Sequence, residues 1–239
     1  MPTFQRARTD EQRAQRRAVI LRTAAAMLTE MPVAELSLNE LSRRVGLAKS
    51  NVLRYFESRE AVLLELLDQA VGDWLDDLAC RLPEAPDPSA DAGLPVRVDQ
   101  VAAVMARTLA ERPVLCDLVG AQAGVLERNV SPTVAARFKR SAIASVGRLA
   151  ELVGRSLPEL GDDAPLRFAG ATVMLVGALW AHTQPSAAML AAYEAEPDLA
   201  ALRLDFEATA AEMLGVLLSG LLARRPTTAD VGKWRHPGG

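Results

Sequence analysis

The chain contains few of the residues on which metal, redox and acid–base chemistry depend. Its 239 residues include two cysteines and two histidines. Cys80 and Cys116 form no metal-binding or redox spacing, and we interpret both as buried thiols. An acid–base scheme would rest on His182 alone because His236 lies in the tail, and a lone histidine is more often a core or pocket residue. The sequence therefore predicts no catalytic site, no metal site and no cofactor.

Strand patterns and export signals are also missing. Aromatic residues make up 4% of the chain, and no alternating β-branched run is long enough for a strand. Alanine and leucine dominate instead, which favours an all-α fold. No phosphate loop or nucleophile motif indicates an enzyme. Because no apolar stretch before a cleavage site opens the chain, we expect a cytoplasmic protein.

One long segment lacks charge. No Asp, Glu, Lys or Arg occurs in residues 168–193, but the strongly apolar part ends near Ala181. That part is shorter than the roughly 20 residues that a bilayer requires, so we expect a buried helix and no membrane association. Small residues in it predict close helix approach: Gly170, Ala171, Gly177 and Ala178.

Charge is distributed unevenly along the chain. Residues 1–60 carry eleven Lys or Arg against seven Asp or Glu, a net charge of +4, whereas the whole chain has −3. The remaining residues therefore carry −7. A basic amino-terminal unit joined to an acidic remainder is typical of nucleic-acid binding, although scatter of surface charge explains the asymmetry about equally well.

Residues 37–56 have the pattern of a helix-turn-helix. Ser37 and Glu40 have the capping-box spacing, and apolar residues then recur at helical intervals. Gly46 can adopt the left-handed conformation that turns the chain, so a second helix is predicted from Ala48 to Phe56.

The second predicted helix has two different faces. One is apolar and includes Val52 and Phe56. The other carries side chains that suit a major groove: Lys49, Ser50, Asn51, Leu53 and Arg54. Lys and Arg pair with guanine, Asn pairs with adenine, and an apolar group contacts the thymine methyl. This face is therefore the predicted DNA reader.

With the turn glycine and the closing Arg54-Tyr55-Phe56, residues 14–67 resemble the DNA-binding domain of the TetR/AcrR family of bacterial transcriptional regulators. Leu53 stands where the family usually has tyrosine, and it cannot make that tyrosine's phosphate hydrogen bond. Ser37, Tyr55 and Arg59 are the expected phosphate contacts, because they flank the reader or open the next helix. The resemblance implies a homodimeric repressor bound to a near-palindromic operator in double-stranded DNA.

The expected organisation is a helix-turn-helix domain followed by a larger helical domain for ligand binding and dimerisation. We place these at residues 1–60 and 61–225, with a flexible tail at 226–239. Residues 1–9 should form a mobile basic arm and Asp10 should cap helix one. Further helices are predicted over residues 58–82, 98–112, 114–129, 133–157, 168–181 and 205–224, with a loop at 83–95.

The larger domain carries two less specific predictions. Helices 168–181 and 205–224 should pair with their two-fold mates, unless both pack only within one monomer. An apolar small-molecule effector should bind among residues drawn from the central helices: Trp74, Met105, Cys116, Phe138, Met174, Trp180 and His182. The alternative function is an architectural or protein-binding module that uses the helix-turn-helix only for packing.

Overall fold

The computed structural model describes residues 2–83 and 93–224, with side chains from residue 11 onward. Within these ranges the chain is helical and contains no strand. The helices are α1 (Pro2–Leu28), α2 (Leu38–Val45), α3 (Lys49–Val52), α4 (Arg59–Arg81), α5 (Leu94–Ala110), α6 (Pro113–Ala121), α7 (Pro132–Ser156), α8 (Ala164–Thr183), α9 (Ala187–Ala195), α10 (Pro197–Ala200) and α11 (Phe206–Ala223). The predicted tail and most of the predicted 83–95 loop lie outside the described residues.

Helix α1 begins earlier than predicted. It starts at Pro2, so residues 2–10 are helical, and both the predicted arm over residues 2–9 and the predicted helix cap at Asp10 are wrong. Proline suits the first position of a helix, and residues 3–9 contain no glycine or further proline that would interrupt it. A helix anchored further along by buried residues can continue through such a segment without an apolar stripe of its own.

A small core holds α1, α2 and α3 together. It is built from residues that are 0–3% exposed: Ile20, Ala24, Met27, Val33, Leu36, Leu41, Val52 and Phe56. Because α3 supplies only Val52 to this core and Phe56 follows it closely, burial of these two side chains fixes which face of α3 turns outward.

Helix α4 belongs to both halves of the molecule. Ser58 caps it by accepting a hydrogen bond from the Ala61 amide. Its 23 residues span about 35 Å at 1.5 Å per residue. Leu63 is buried near its start, and Trp74 and Leu78 are buried in the second half. The helix therefore passes directly from the helix-turn-helix into the larger helical domain.

Proline positions explain several helix starts in the larger domain. Pro95, Pro113, Pro132 and Pro165 each lie in the first turn of a helix, where a missing backbone N–H costs nothing. Helix α5 therefore begins at Leu94, four residues before the predicted start. A π-helical segment, Gln122–Leu126, follows α6 where the sequence had predicted one continuous helix.

Helices α6 and α8 cross at a pair of glycines. A Cβ atom added to Gly177 would lie 3.3 Å from the Val119 carbonyl oxygen, and one added to Gly120 would lie 3.3 Å from the Gly177 carbonyl oxygen. The predicted close approach at Gly177 is thus confirmed, but its partner is α6 of the same chain. Gly170 has open space around it.

The two most apolar helices form part of this bundle. By length and composition α8 and α11 would suffice to cross a membrane. Within the fold, however, α11 buries Phe206, Ala210, Leu214 and Leu218 and packs along α5 and α8, while α8 also packs on α6 and α7. Helices α9 and α10, which the sequence had not predicted, contribute no buried residue.

Candidate nucleic-acid interface and ligand cavity

Helix α2 is capped at both ends as the sequence predicts. The Ser37 hydroxyl accepts a hydrogen bond of 3.2 Å from the Glu40 amide, and Gly46 ends the helix with φ of 73° in the left-handed region. The Glu40 carboxylate binds Arg43 and Arg44, and these hydrogen bonds lower its pKa to about 2. This arrangement fixes the direction in which the chain enters α3.

Helix α3 is shorter than predicted. It ends at Val52, and the chain continues in turns in which the Tyr55 and Phe56 amides donate to the Val52 carbonyl. The chain therefore continues in helix-like turns to Phe56, although regular helix covers only 4 residues of the predicted range 48–56. We call residues 49–56 the recognition segment.

The recognition segment separates its side chains as the sequence predicts. Val52 and Phe56 are buried. The five predicted base-reading side chains are exposed: Lys49, Ser50, Asn51, Leu53 and Arg54. Leu53 is 41% exposed, which leaves its methyl groups accessible to a partner. A short turn thus presents cationic, amide, hydroxyl and apolar groups together.

The three predicted phosphate contacts differ in accessibility. Ser37 is exposed and Tyr55 is partly buried. Arg59, however, donates a hydrogen bond from Nη2 to the Val33 carbonyl, its side chain is 20% exposed, and its Nε is buried. This guanidinium stabilises the connection between α1 and α2, so its geometry does not match the predicted phosphate role.

Arg17 is a structural residue that sequence reasoning missed. Its guanidinium donates to the Tyr55 carbonyl and to the Glu65 carboxylate, and lies 4.1 Å from the centroid of the Phe56 ring. It therefore joins α1, the end of the recognition segment and α4. Arg17 is partly buried, whereas its neighbour Arg16 is exposed. In the sequence, only their different positions around the α1 helix could have indicated this difference.

Two carboxylates connect the helix-turn-helix to the larger domain. Asp117 on α6 accepts a 2.7 Å hydrogen bond from the Val33 amide. Glu57, immediately after the recognition segment, accepts a 2.6 Å hydrogen bond from the Ser131 amide, and this bond lowers the pKa of Glu57. Backbone groups on both sides of the boundary are thus held by charge-assisted hydrogen bonds.

A largely apolar cavity of about 90 Å³ lies between α4, α6, α7 and α8. Trp74 and Phe138 line it, as predicted. Trp74 is oriented by a 3.0 Å hydrogen bond from its indole N–H to the Thr108 hydroxyl. Four polar residues also line the cavity: Asp68, Gln122, Ser145 and Thr172. No arginine, lysine or histidine is among the lining residues.

The other predicted pocket residues lie elsewhere. Met105 and Cys116 are fully buried in the core. Trp180 packs edge-on against Phe206 with the ring centroids 5.2 Å apart. Met174 is 68% exposed and His182 is exposed, since both lie on the outward side of α8. The predicted helix 168–181 lies within α8 but stops one residue before His182. Which residues of α8 face outward depends on packing that an almost uniformly apolar sequence does not specify.

The outward sides of α8 and α11 carry exposed apolar residues. Met174 on α8 is 68% exposed, and on α11 Met213 and Val216 are 43% and 67% exposed. Met213, Val216 and Gly220 follow helical spacing, so they share one face of α11. That face lies opposite the buried side of α11, which packs on α5.

A capped helix-turn-helix with an exposed, partly cationic recognition segment defines a DNA-binding protein. Comparison with protein families agrees: residues 20–66 match the model described as bacterial regulatory proteins, tetR family. Residues 68–225 match the model described as tetracyclin repressor-like, C-terminal domain. The chain therefore belongs to the tetR family of bacterial regulatory proteins and has the predicted all-α fold.

Individual relatives support the same assignment over different lengths. HTH-type transcriptional regulator EthR of Mycobacterium tuberculosis is 41% identical over 56 residues, which cover 23% of this chain and 26% of EthR. The chain thus matches about a quarter of the length of that relative. The solved structure of a TetR transcriptional regulator from Rhodococcus sp. RHA1 is 16% identical in sequence and superimposes with a TM-score of 0.51. The match covers 88% of this chain and 96% of the Rhodococcus chain. A putative TetR-family regulator from Mesorhizobium loti gives 14% identity, the same coverage and a TM-score of 0.53, so both structures share the fold.

Proposed function

We propose that this chain is a cytoplasmic, homodimeric repressor that releases a near-palindromic operator when an apolar small molecule binds. The observation that carries the proposal is the recognition segment. Its exposed side chains are of the types that read base edges. Burial of Val52 and Phe56 keeps those side chains on the solvent-facing side of the segment. Since tetR-family proteins are regulators, we propose no catalytic activity for it.

The base contacts are assigned by chemistry. Asn51 pairs with adenine, Lys49 and Arg54 pair with guanine, and exposed Leu53 contacts a thymine methyl. Ser37 and Tyr55 remain the proposed phosphate contacts, whereas Arg59 is bound to the Val33 carbonyl. Phosphate contacts set the register of the protein on the duplex, and base contacts set its sequence preference.

Dimerisation is proposed through α8 and α11. Met174, Met213 and Val216 support it because these large apolar side chains would otherwise face water. An isologous two-fold contact would bury them against the same residues of a second copy. Two recognition segments related by that axis would enter successive major grooves and require symmetric half-sites.

The effector site is proposed to be the cavity lined by Trp74 and Phe138. Helix α4 forms one wall of that cavity and starts immediately after the recognition segment. A ligand that fits best when α4 is displaced would favour a state with a different spacing of the two recognition segments. Coupling of this kind typically changes affinity by about 1–3 kcal/mol.

The ligand assignment is tested by titrating a chemically diverse library against the protein–operator complex, alongside zinc, copper and peroxide. We expect neutral apolar compounds to release the operator. Metal or peroxide could instead release the operator, and a Cys80→Ser or Cys116→Ser variant could lose that response. This result would show that the protein responds through a thiol and not to an apolar ligand.

An architectural module that uses the helix-turn-helix only for packing is the alternative function. It is not favoured, because a packing unit has no need for Lys49, Asn51 and Arg54 together on its accessible side. Such a module would also lack salt-dependent, sequence-selective DNA binding, which the same protein–operator titrations would reveal.

A further inference from the structure

A second polar surface adjoins the recognition segment. Helix α1 and the end of the recognition segment together form a concave surface, which we call the α1 cleft. It is lined by Gln12, Arg13, Gln15, Arg16 and Val19 from α1 and by Arg54 and Tyr55. Arg54 thus belongs both to the base-reading set and to this cleft.

The charge of the α1 cleft is of one sign. Three arginines and two glutamines line it, and no Asp or Glu is among the lining residues. Arg13, Arg16 and Arg54 are exposed. Guanidinium groups and side-chain amides are the donors that proteins use to bind phosphate oxygens. The cleft therefore has the chemistry of a polyanion-binding surface.

The cleft is also rigidly connected to the recognition segment. Arg17, the neighbour of Arg16 in α1, donates to the Tyr55 carbonyl and stacks over Phe56. These contacts hold α1 against the end of the recognition segment, so the α1 backbone that carries Arg13 and Arg16 is held next to the backbone that carries Arg54. A duplex placed on the recognition segment would bring its adjoining backbone to the same side of the domain.

We propose that the α1 cleft binds DNA backbone phosphates next to the base pairs read by the recognition segment. This proposal rests on the proposed DNA reading by residues 49–54. Arg13 and Arg16 contribute affinity and salt dependence without sequence preference, because phosphate contacts are the same at every base pair. Continuity with Arg54 is the reason for assigning DNA, and not another polyanion, to this surface.

The test compares Arg13→Gln/Arg16→Gln with wild-type protein on two duplexes across a range of salt concentrations. One duplex is selected by the wild-type protein from a randomised library, and the other has a fixed random sequence. We expect the variant to bind both duplexes at least tenfold more weakly, by equal factors. The slope of log affinity against log salt should fall by about 0.9 for each phosphate that the variant no longer neutralises.

Arg22→Gln is the matched control, because Arg22 is exposed on the same helix but lies on the side facing α4. It should bind DNA like the wild-type protein, and thermal unfolding of all variants should coincide. If the double variant keeps the wild-type affinity and salt slope while Asn51→Ala still weakens binding, phosphate binding by the α1 cleft is overturned. Base reading by the recognition segment would then still stand. Failure of the wild-type protein to retain either duplex would overturn both proposals.

Discussion

Val33 is held from both sides of the domain boundary: its amide donates to Asp117 of α6 at 2.7 Å, and its carbonyl accepts from Arg59 of α4. Val33 itself is 1% exposed. The segment between α1 and α2 is therefore connected to the larger domain through two different helices. A shift of α6 or α4 around the cavity would reach the helix-turn-helix through this residue.

Removing the Asp117 carboxylate should destabilise the protein. Asp117→Ala leaves the Val33 amide without a partner, and we expect the free energy of unfolding to fall by about 1–3 kcal/mol. Asp117→Asn retains an acceptor oxygen and should cost less. Urea unfolding of the three proteins measures this order, and equal stabilities would contradict the role given to the contact.

Filling the cavity should remove the response to the effector. Ala142 lines the cavity, so Ala142→Phe should occupy the space needed by the ligand while operator affinity persists. Ile143, its neighbour on α7, is 52% exposed, which makes Ile143→Phe the matched control. An effector that still releases operator from the Ala142→Phe protein would have to bind elsewhere.

A charge on the exposed face of α11 should separate the dimer. Val216→Glu places a carboxylate at a position that is 67% exposed in one chain but buried in the proposed dimer. Analytical ultracentrifugation should show a folded monomer. Val96→Glu, at a 50% exposed position on α5, should remain dimeric. A monomeric wild-type protein would exclude the two-fold interface altogether.

The two thiols should behave differently. Burial, with a smaller contribution from Asp117, raises the pKa of Cys116 to about 12 from an ordinary value of 9.0. Cys80, in contrast, is exposed, so the predicted burial is confirmed for Cys116 and wrong for Cys80. Native protein should therefore react with a thiol reagent at Cys80 only. Above pH 9.0 the unfolded Cys116 ionises while the folded thiol stays neutral, so its contribution to stability declines.

That decline should approach about 1.4 kcal/mol per pH unit until the folded thiol also ionises. The measurement is the free energy of unfolding of the wild-type and Cys116→Ala proteins below and above the ordinary thiol pKa. The difference between the two proteins isolates the pH-dependent contribution of Cys116. Identical pH dependence in the two proteins would show that Cys116 is not shielded from water.

Local patterns predicted the helix-turn-helix well. Ser37 and Gly46 specify the ends of α2 through backbone chemistry that depends on a few adjacent residues, and both caps are confirmed. The inward direction of Val52 and Phe56 follows from helical periodicity. The hydrogen bond from Arg59 to the Val33 carbonyl was not predicted, because that carbonyl is 26 residues away and a backbone oxygen leaves no signature in sequence.

Packing in the larger domain was harder to predict. Helices α8 and α11 are apolar on nearly every side, so hydrophobicity alone could not distinguish exposed Met174 from buried Val176. The cavity depends on how four helices meet, and only Trp74 and Phe138 of the predicted residues reach it. Gly177 was identified as a close-packing residue, but its partner within the same chain was not.

The most direct measurement of the central claim is selection of duplexes from a randomised library by wild-type and Asn51→Ala proteins. The wild-type protein should enrich two symmetric half-sites. The variant should lose base preference at one symmetric pair of positions, by about 1–3 kcal/mol for a bidentate contact, and keep it elsewhere. Enrichment of no sequence by the wild-type protein, or identical profiles for the two proteins, would contradict sequence reading by the recognition segment.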